Sequence, residues 1–200
     1  MIRDTQYNYK LAKGCGLMEE TLALLSVYHE LLSFSNMAEN TQGLSDKTIN
    51  IIYGDTGYSY ENMFGDYMQG AKEIELQEPY LGMYFQLNNL VAFAELICKI
   101  GDCKKFHLRT KPCDTAEETV EMQKALDEIK NAMSDQGVDM DYVFTTVIHD
   151  RYIKLSNGWE ITPGRGLHIF QKAESKFYGM GTYDQTLRPC QECKIEIKKV

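Results

Sequence analysis

Three cationic side chains set the chemistry this chain can do. His149 and Arg151 flank Asp150 at the start of an apolar-alternating run, and Arg165 follows between Gly164 and Gly166. Side chains of an extended segment alternate between faces, so His149 and Arg151 are expected on one face, two residues apart. An imidazole beside a guanidinium can grip a phosphate, with Arg165 closing the other side. Lys154 and Arg188 complete the candidate phosphate-binding set, and His149 is the candidate catalytic residue if the site turns over substrate. The plainer readings are a buried hydrogen-bonded His149–Arg151 pair, an Asp150–Lys154 ion pair, core packing by Trp159 and a structural ion pair at Arg188.

These residues need strands and tight turns to hold them. Residues 151–155 read as a strand, Asn157-Gly158 as a hairpin turn and residues 159–162 as the returning strand. A short helix is expected near residues 167–171, and Lys194–Lys198 alternate as a last strand. Upstream, Tyr60, Met63, Phe64 and Tyr67 recur at helical spacing, and Ile74 and Leu76 alternate with polar residues as in a strand. Leu87, Leu90, Val91, Ala94 and Ile97 mark an apolar central helix, followed by a strand through Phe106 and Leu108. Met122, Leu126, Ile129 and Met133 form the stripe of a charged surface helix, which Gly137 stops, and Val138, Met140 and Tyr142 lead into another strand. Alternating strands and helices predict an α/β fold in which helices flank a mixed sheet. Gly54-Asp55-Thr56-Gly57 reads as the domain boundary. Before it, residues 1–55 read as a helical extension: one helix from Glu19 through Leu32, and a second capped by Ser45 and running through Ile49 and Ile52. Such a hairpin suits packing or partner docking. With few basic residues, it does not suit reading DNA.

The net charge of -8 over 200 residues argues against general nucleic-acid affinity. The charge is uneven: residues 151–200 carry nine Lys or Arg against five Asp or Glu. A positive field confined to one quarter of an acidic chain favours a compact anionic ligand over a long polyanion. The apolar stretch from Tyr80 to Ile100 is interrupted by Gln86, Asn88, Asn89 and Glu95 and reads as a buried helix, and the first residues lack a signal pattern. A cytoplasmic protein, with any membrane contact peripheral, is expected. Of six cysteines, Cys190 and Cys193 form a C-x-x-C, a weak zinc candidate because no second pair has matching spacing. No cofactor is expected.

Five blocks carry a resemblance: Gly57-Tyr58-Ser59-Tyr60-Glu61-Asn62-Met63-Phe64 with Glu78-Pro79-Tyr80, His149-Asp150-Arg151, Asn157-Gly158-Trp159, Gly164-Arg165-Gly166-Leu167, and Leu187-Arg188-Pro189-Cys190. In this order they resemble the MIT C-terminal domain, a phospholipase D-like module, over residues 56–200. The resemblance implies a phospholipase D-like α/β fold, homodimerisation, and binding of acidic phospholipids such as phosphoinositides. Residues 1–55 do not resemble the three-helix MIT domain that docks onto ESCRT-III tails in that family, so that partner is not carried over.

Catalytic phospholipase D relatives use H-x-K-x4-D, a histidine nucleophile with a lysine on the phosphoryl oxygens. Here His149 and Arg151 match the first half, but Ser156 stands where the aspartate belongs, and Gly164-Arg165-Gly166-Leu167 replaces G-S-x-N. Arginine preserves the charge and improves bidentate oxyanion geometry, yet it does not restore a carboxylate. His107-Leu108-Arg109 repeats the H-x-R spacing in a strand where the family has no catalytic residue. The expectation is a non-catalytic, homodimeric module for an acidic phospholipid or other phosphorylated ligand. One alternative is a phosphodiesterase or nuclease pairing two His149 across a dimer. Another is an adaptor that recruits a protein through residues 1–55.

Overall fold

Burial alternates along nearly every strand, which is why one sheet can organise this chain. In the computed structural model, which describes residues 43–172 and 179–200, seven strands form a mixed sheet in the order β1-β7-β6-β5-β2-β3-β4. In chain order these are β1 (Lys47–Ile51), β2 (Glu73–Gln77), β3 (Lys105–Thr110), β4 (Asp139–Phe144), β5 (Tyr152–Leu155), β6 (Trp159–Pro163) and β7 (Cys193–Lys199). β2, β3 and β4 are parallel, and the remaining pairs are antiparallel. Three helices connect them: α1 (Tyr60–Met68), α2 (Tyr84–Ile100) and α3 (Ala116–Asp135).

Ile74 and Leu76 of β2, Phe106 and Leu108 of β3, Met140 of β4, Ile153 of β5, Ile161 of β6 and Ile195 and Ile197 of β7 are all buried. They meet Phe64, Leu90, Phe93 and Leu126 from the helices in one apolar cluster. Alternate residues on the other face are charged and pair across strands, as in Arg109–Glu75 and Lys154–Glu160, or along one strand, as in Lys198–Glu196 of β7. His107 there lies between Glu73 and Asp141, 2.7 and 2.8 Å from their oxygens. Asp150 does not pair with Lys154. Instead its carbonyl accepts from Gln77 Nε2 at 3.0 Å.

The predicted strands and three of the four helices predicted beyond Gly57 are present, and Trp159 is a core residue as expected. Two expectations are corrected. Residues 47–51, read as part of a helix through Ile49 and Ile52, form β1, which pairs with β7 and buries Ile51. The isoleucines that fit a helical stripe equally fit an edge strand, and in the short apolar segment periodicity alone did not separate the two. Residues 167–171 make turns and an isolated bridge, Phe170 to Cys190, instead of a short helix. The helix expected from Glu19 to Leu32 lies outside the described residues. Ser45–Val200 forms one compact unit.

Candidate functional site

Three strand ends converge where the sheet changes from parallel to antiparallel. The carboxyl end of β2 runs into Glu78, β5 begins just after Arg151, and β6 ends into the turn Gly164–Leu167. Such a switch point leaves a crevice beyond the strand ends. Here it is a cleft of about 230 Å³ whose lining includes Glu78, Tyr80, Asn89, Arg151, Arg165 and His168.

The turn is shaped from beneath. The buried Glu78 carboxylate accepts Leu167 N–H at 2.9 Å and Tyr80 N–H at 3.4 Å. Tyr60, fully buried at the start of α1, donates its hydroxyl to the Leu167 carbonyl. α1 is set by a reciprocal cap, in which Ser59 Oγ accepts from Asn62 N–H and Asn62 Oδ1 from Ser59 N–H. Gly166 has φ +62°, and a Cβ there would fall on Glu78 Oε2 and 2.7 Å from Arg151 Cδ. A glycine is therefore required both by the left-handed backbone and by the close approach.

Charges in the cleft are incompletely compensated. Arg151 Nε lies 3.4 Å from Glu78 Oε1 but is not aligned as a hydrogen bond, so it is a buried donor without an acceptor among the described residues. The Arg165 side chain is exposed and has no carboxylate partner among them. Burial pushes the Glu78 carboxyl above the usual carboxylate range, against the opposing pull of Leu167 N–H and the Arg151 charge. Burial also lowers the His168 imidazole, and Arg165 and Arg151 lower it further. His168 Nδ1 is buried without a hydrogen-bond partner among the described residues, and the ring leans on Phe85 at 4.9 Å between centroids. An anion entering this cleft meets two guanidinium groups and a neutral imidazole beside a masked carboxyl.

Of the residues singled out by sequence, the cleft brings together Arg151 and Arg165. His149 precedes β5 rather than sharing its face; it is exposed, and its Nδ1 lies 3.4 Å from Lys111 Nζ at the rim. Lys154 points to the charged face, 3.9 Å from Glu160 and over the Tyr152 ring. Arg188 donates to the carbonyls of Gly181 and Thr182 at 2.7 and 3.0 Å and so braces a loop. Ser156, at the aspartate's position, sits at the far end of β5, where its Oγ accepts the N–H groups of Lys72 and Glu73. Cys190 is buried, which raises its thiol to about 11, and Cys193 is half-buried in β7. No group of three or more metal-ligating side chains occurs among the described residues.

Sequence reasoning did not single out Glu78, Asn89 and His168 as site residues. Glu78 had two visible signals: it follows the apolar alternation of β2 immediately, where a central strand ends, and it stands in the Glu78-Pro79-Tyr80 block that carries the resemblance. Asn89 and His168 had none, since a lone polar residue in an apolar helix or turn looks like many others.

Comparison with known proteins agrees with the geometry. A family model described as the phospholipase D-like domain at the C-terminus of MIT matches residues 57–199. MIT domain-containing protein 1 of Mus musculus is 36% identical over 162 residues, covering 80% of this chain; the chain spans 64% of that protein's length. Among solved structures, a polyphosphate kinase from Porphyromonas gingivalis aligns at TM-score 0.40 with 10% identity, over 78% of this chain and 23% of that one. TrmBL2, an archaeal chromatin protein, aligns at TM-score 0.36 with 12% identity, over 99% of this chain and 60% of that one. Neither structural likeness is close enough to carry an argument. The chain belongs to the family of phospholipase D-like domains found at the C-terminus of MIT proteins.

Proposed function

We propose that this chain is a non-catalytic phospholipase D-like module whose cleft binds an acidic, phosphorylated ligand such as a phosphoinositide headgroup, acting as a homodimer at a membrane surface. The observation that carries this reading is that Arg151, whose Nε has no hydrogen-bond acceptor among the described residues, lines the same cleft as Arg165, which has no carboxylate partner among them. A phosphoryl oxygen would satisfy both, and hydrogen bonds to charged groups are the strong ones. Turnover is disfavoured because neither His149 nor His168 has a carboxylate partner among the described residues: His149 faces Lys111, and His168 Nδ1 has no hydrogen-bond partner among them. A nucleophilic imidazole ordinarily needs such a partner to orient and charge it.

Co-sedimentation with phosphatidylcholine vesicles, with and without acidic phospholipid, tests the reading. Binding is expected only with the acidic lipid, to weaken with salt, and to fall about tenfold in Arg151→Ala and in Arg165→Ala. Salt-insensitive binding, or none, rejects it. Light scattering at increasing concentration checks the dimer, and a monomer throughout removes that part. Hydrolysis of bis-p-nitrophenyl phosphate that vanishes in His149→Ala would instead favour the phosphodiesterase alternative. Capture of a protein partner that requires residues 1–55 would favour the adaptor.

A further inference from the structure

Lys111 follows β3 directly and brings its ammonium to the Tyr80 ring at the rim of the cleft. Its Nζ lies 5.5 Å from the centre of the Tyr80 ring, and the Arg151 guanidinium carbon lies 4.9 Å from the same ring. Tyr80 is 46% exposed, so the two cations share an aromatic ring that is open to ligand. An ammonium has no lone pair, so His149 Nδ1, 3.4 Å away, acts as the acceptor and the ring proton sits on Nε2 as a further donor. Lys111 has no carboxylate partner among the described residues. Two cations drawn to one ring, with one buried carboxylate beside Arg151 and none paired to Lys111 among the described residues, form a pocket of uncompensated positive charge. Neither Lys111 nor His149 is among the residues that line the cleft. A single phosphoryl group held there by Arg165 and Arg151 therefore leaves the rim donors unused.

We infer that Lys111, His149 and the Tyr80-supported face of Arg151 form a second anion subsite, so that the site reads two phosphoryl groups on one carrier. This rests on the phosphate-binding reading of the cleft. Arg151 lines the cleft and shares the Tyr80 ring with Lys111, so it serves both subsites. Tyr80 holds the cations apart from bulk water on one side and offers a flat wall to the ligand's ring or chain. The ligand class is a bisphosphorylated small carrier, whether free or as the headgroup of a lipid.

Calorimetric titration of the full chain with inositol 1-phosphate and inositol 1,4-bisphosphate tests this. The wild type is expected to bind the bisphosphate about tenfold tighter, since each charge-assisted contact contributes at that scale. Lys111→Met should bring the bisphosphate down to the level of the monophosphate and leave the monophosphate within about twofold, which also shows that the variant is folded. Arg165→Gln should weaken both ligands. The second subsite is overturned if Lys111→Met weakens both ligands alike or neither, while Arg165→Gln still weakens the monophosphate; the cleft reading then stands alone. If the wild type binds neither compound, the cleft reading fails and the subsite with it. Phosphatidylcholine vesicles doped with the lipid bearing the same bisphosphate headgroup separate the sources. Lys111-dependent binding much tighter on vesicles assigns a lipid, and equal Lys111-dependent affinity assigns a soluble carrier.

Discussion

At the residue scale, the cleft depends on a contact between a carboxylate and a glycine. Gly166 can hold φ +62° and let Glu78 reach the Leu167 N–H only because it has no side chain. Gly166→Ala combines a left-handed alanine with a clash against a buried carboxylate, and should cost about 2 kcal/mol or more in urea unfolding. Loss of anion binding is expected even where the variant folds, because the turn presenting Arg165 must move. Glu78 has an opposite influence on binding. While charged, it competes with a ligand for Arg151. Its carboxyl is raised by burial, so it becomes neutral as pH falls through a value above the ordinary carboxylate range. Affinity for sulfate, which does not titrate there, should therefore rise as pH is lowered toward that value. In Glu78→Gln the rise should be absent and the neutral-pH affinity already higher. A wild-type affinity flat across that window would refute the competition.

At the element scale, the charged sheet face is held together by a histidine. His107 on β3 reaches Glu73 on β2 through Nε2 and Asp141 on β4 through Nδ1. Two carboxylates can accept from both ring nitrogens only if the ring is protonated. The hydrogen bond that the ring donates to Asp141 accordingly raises the pKa of His107, aided by Glu73 and opposed by partial burial. The sign follows from linkage. A raised histidine pKa contributes stability that is complete below the unfolded value of about 6.5 and is lost as pH rises through the folded value. Thermal unfolding of the wild type should therefore decline across that window, and His107→Asn should flatten the decline. An equal slope in both proteins would show that the three strands do not depend on this bridge. The H-x-R spacing at His107 thus belongs to sheet cohesion, consistent with its being read as incidental to any phosphate chemistry.

At the scale of the whole molecule, the sheet defines what must be kept. β1 covers the edge of β7, Ile51 is buried, Asp46 Oδ1 accepts Lys199 N–H at 3.0 Å, and Tyr67 donates its hydroxyl to the Ser45 carbonyl at 3.1 Å. A chain beginning at Ser45 should unfold at the temperature of the whole compact unit and retain anion binding. One beginning at Gly57, where the family match starts, exposes the β7 edge and should melt lower by about 5 °C or more, with a tendency to aggregate. Circular dichroism melts of the two truncations decide this, and identical melts would mean that β1 contributes nothing. No helix among the described residues is long and apolar enough to cross a membrane.

Most of the architecture was legible because it rests on local periodicity. The alternation of Ile74 and Leu76, the stripe Met122–Leu126–Ile129–Met133 and the Asn157-Gly158 turn each state their element within a few residues. Arg151 and Arg165 were legible as candidates because a cation at a strand start followed by a glycine-flanked cation is locally unusual. What lay beyond the sequence was every relation set by sheet order. Because β2 lies between β5 and β3, Glu78 comes to rest under the Gly164–Leu167 turn, 86 or more residues downstream. The same order carries Lys111 to His149. The sequence by itself determined the elements and the positive charge of the final quarter. Only the tertiary structure decided which cations meet, since register and strand order are long-range pairings that no local pattern encodes.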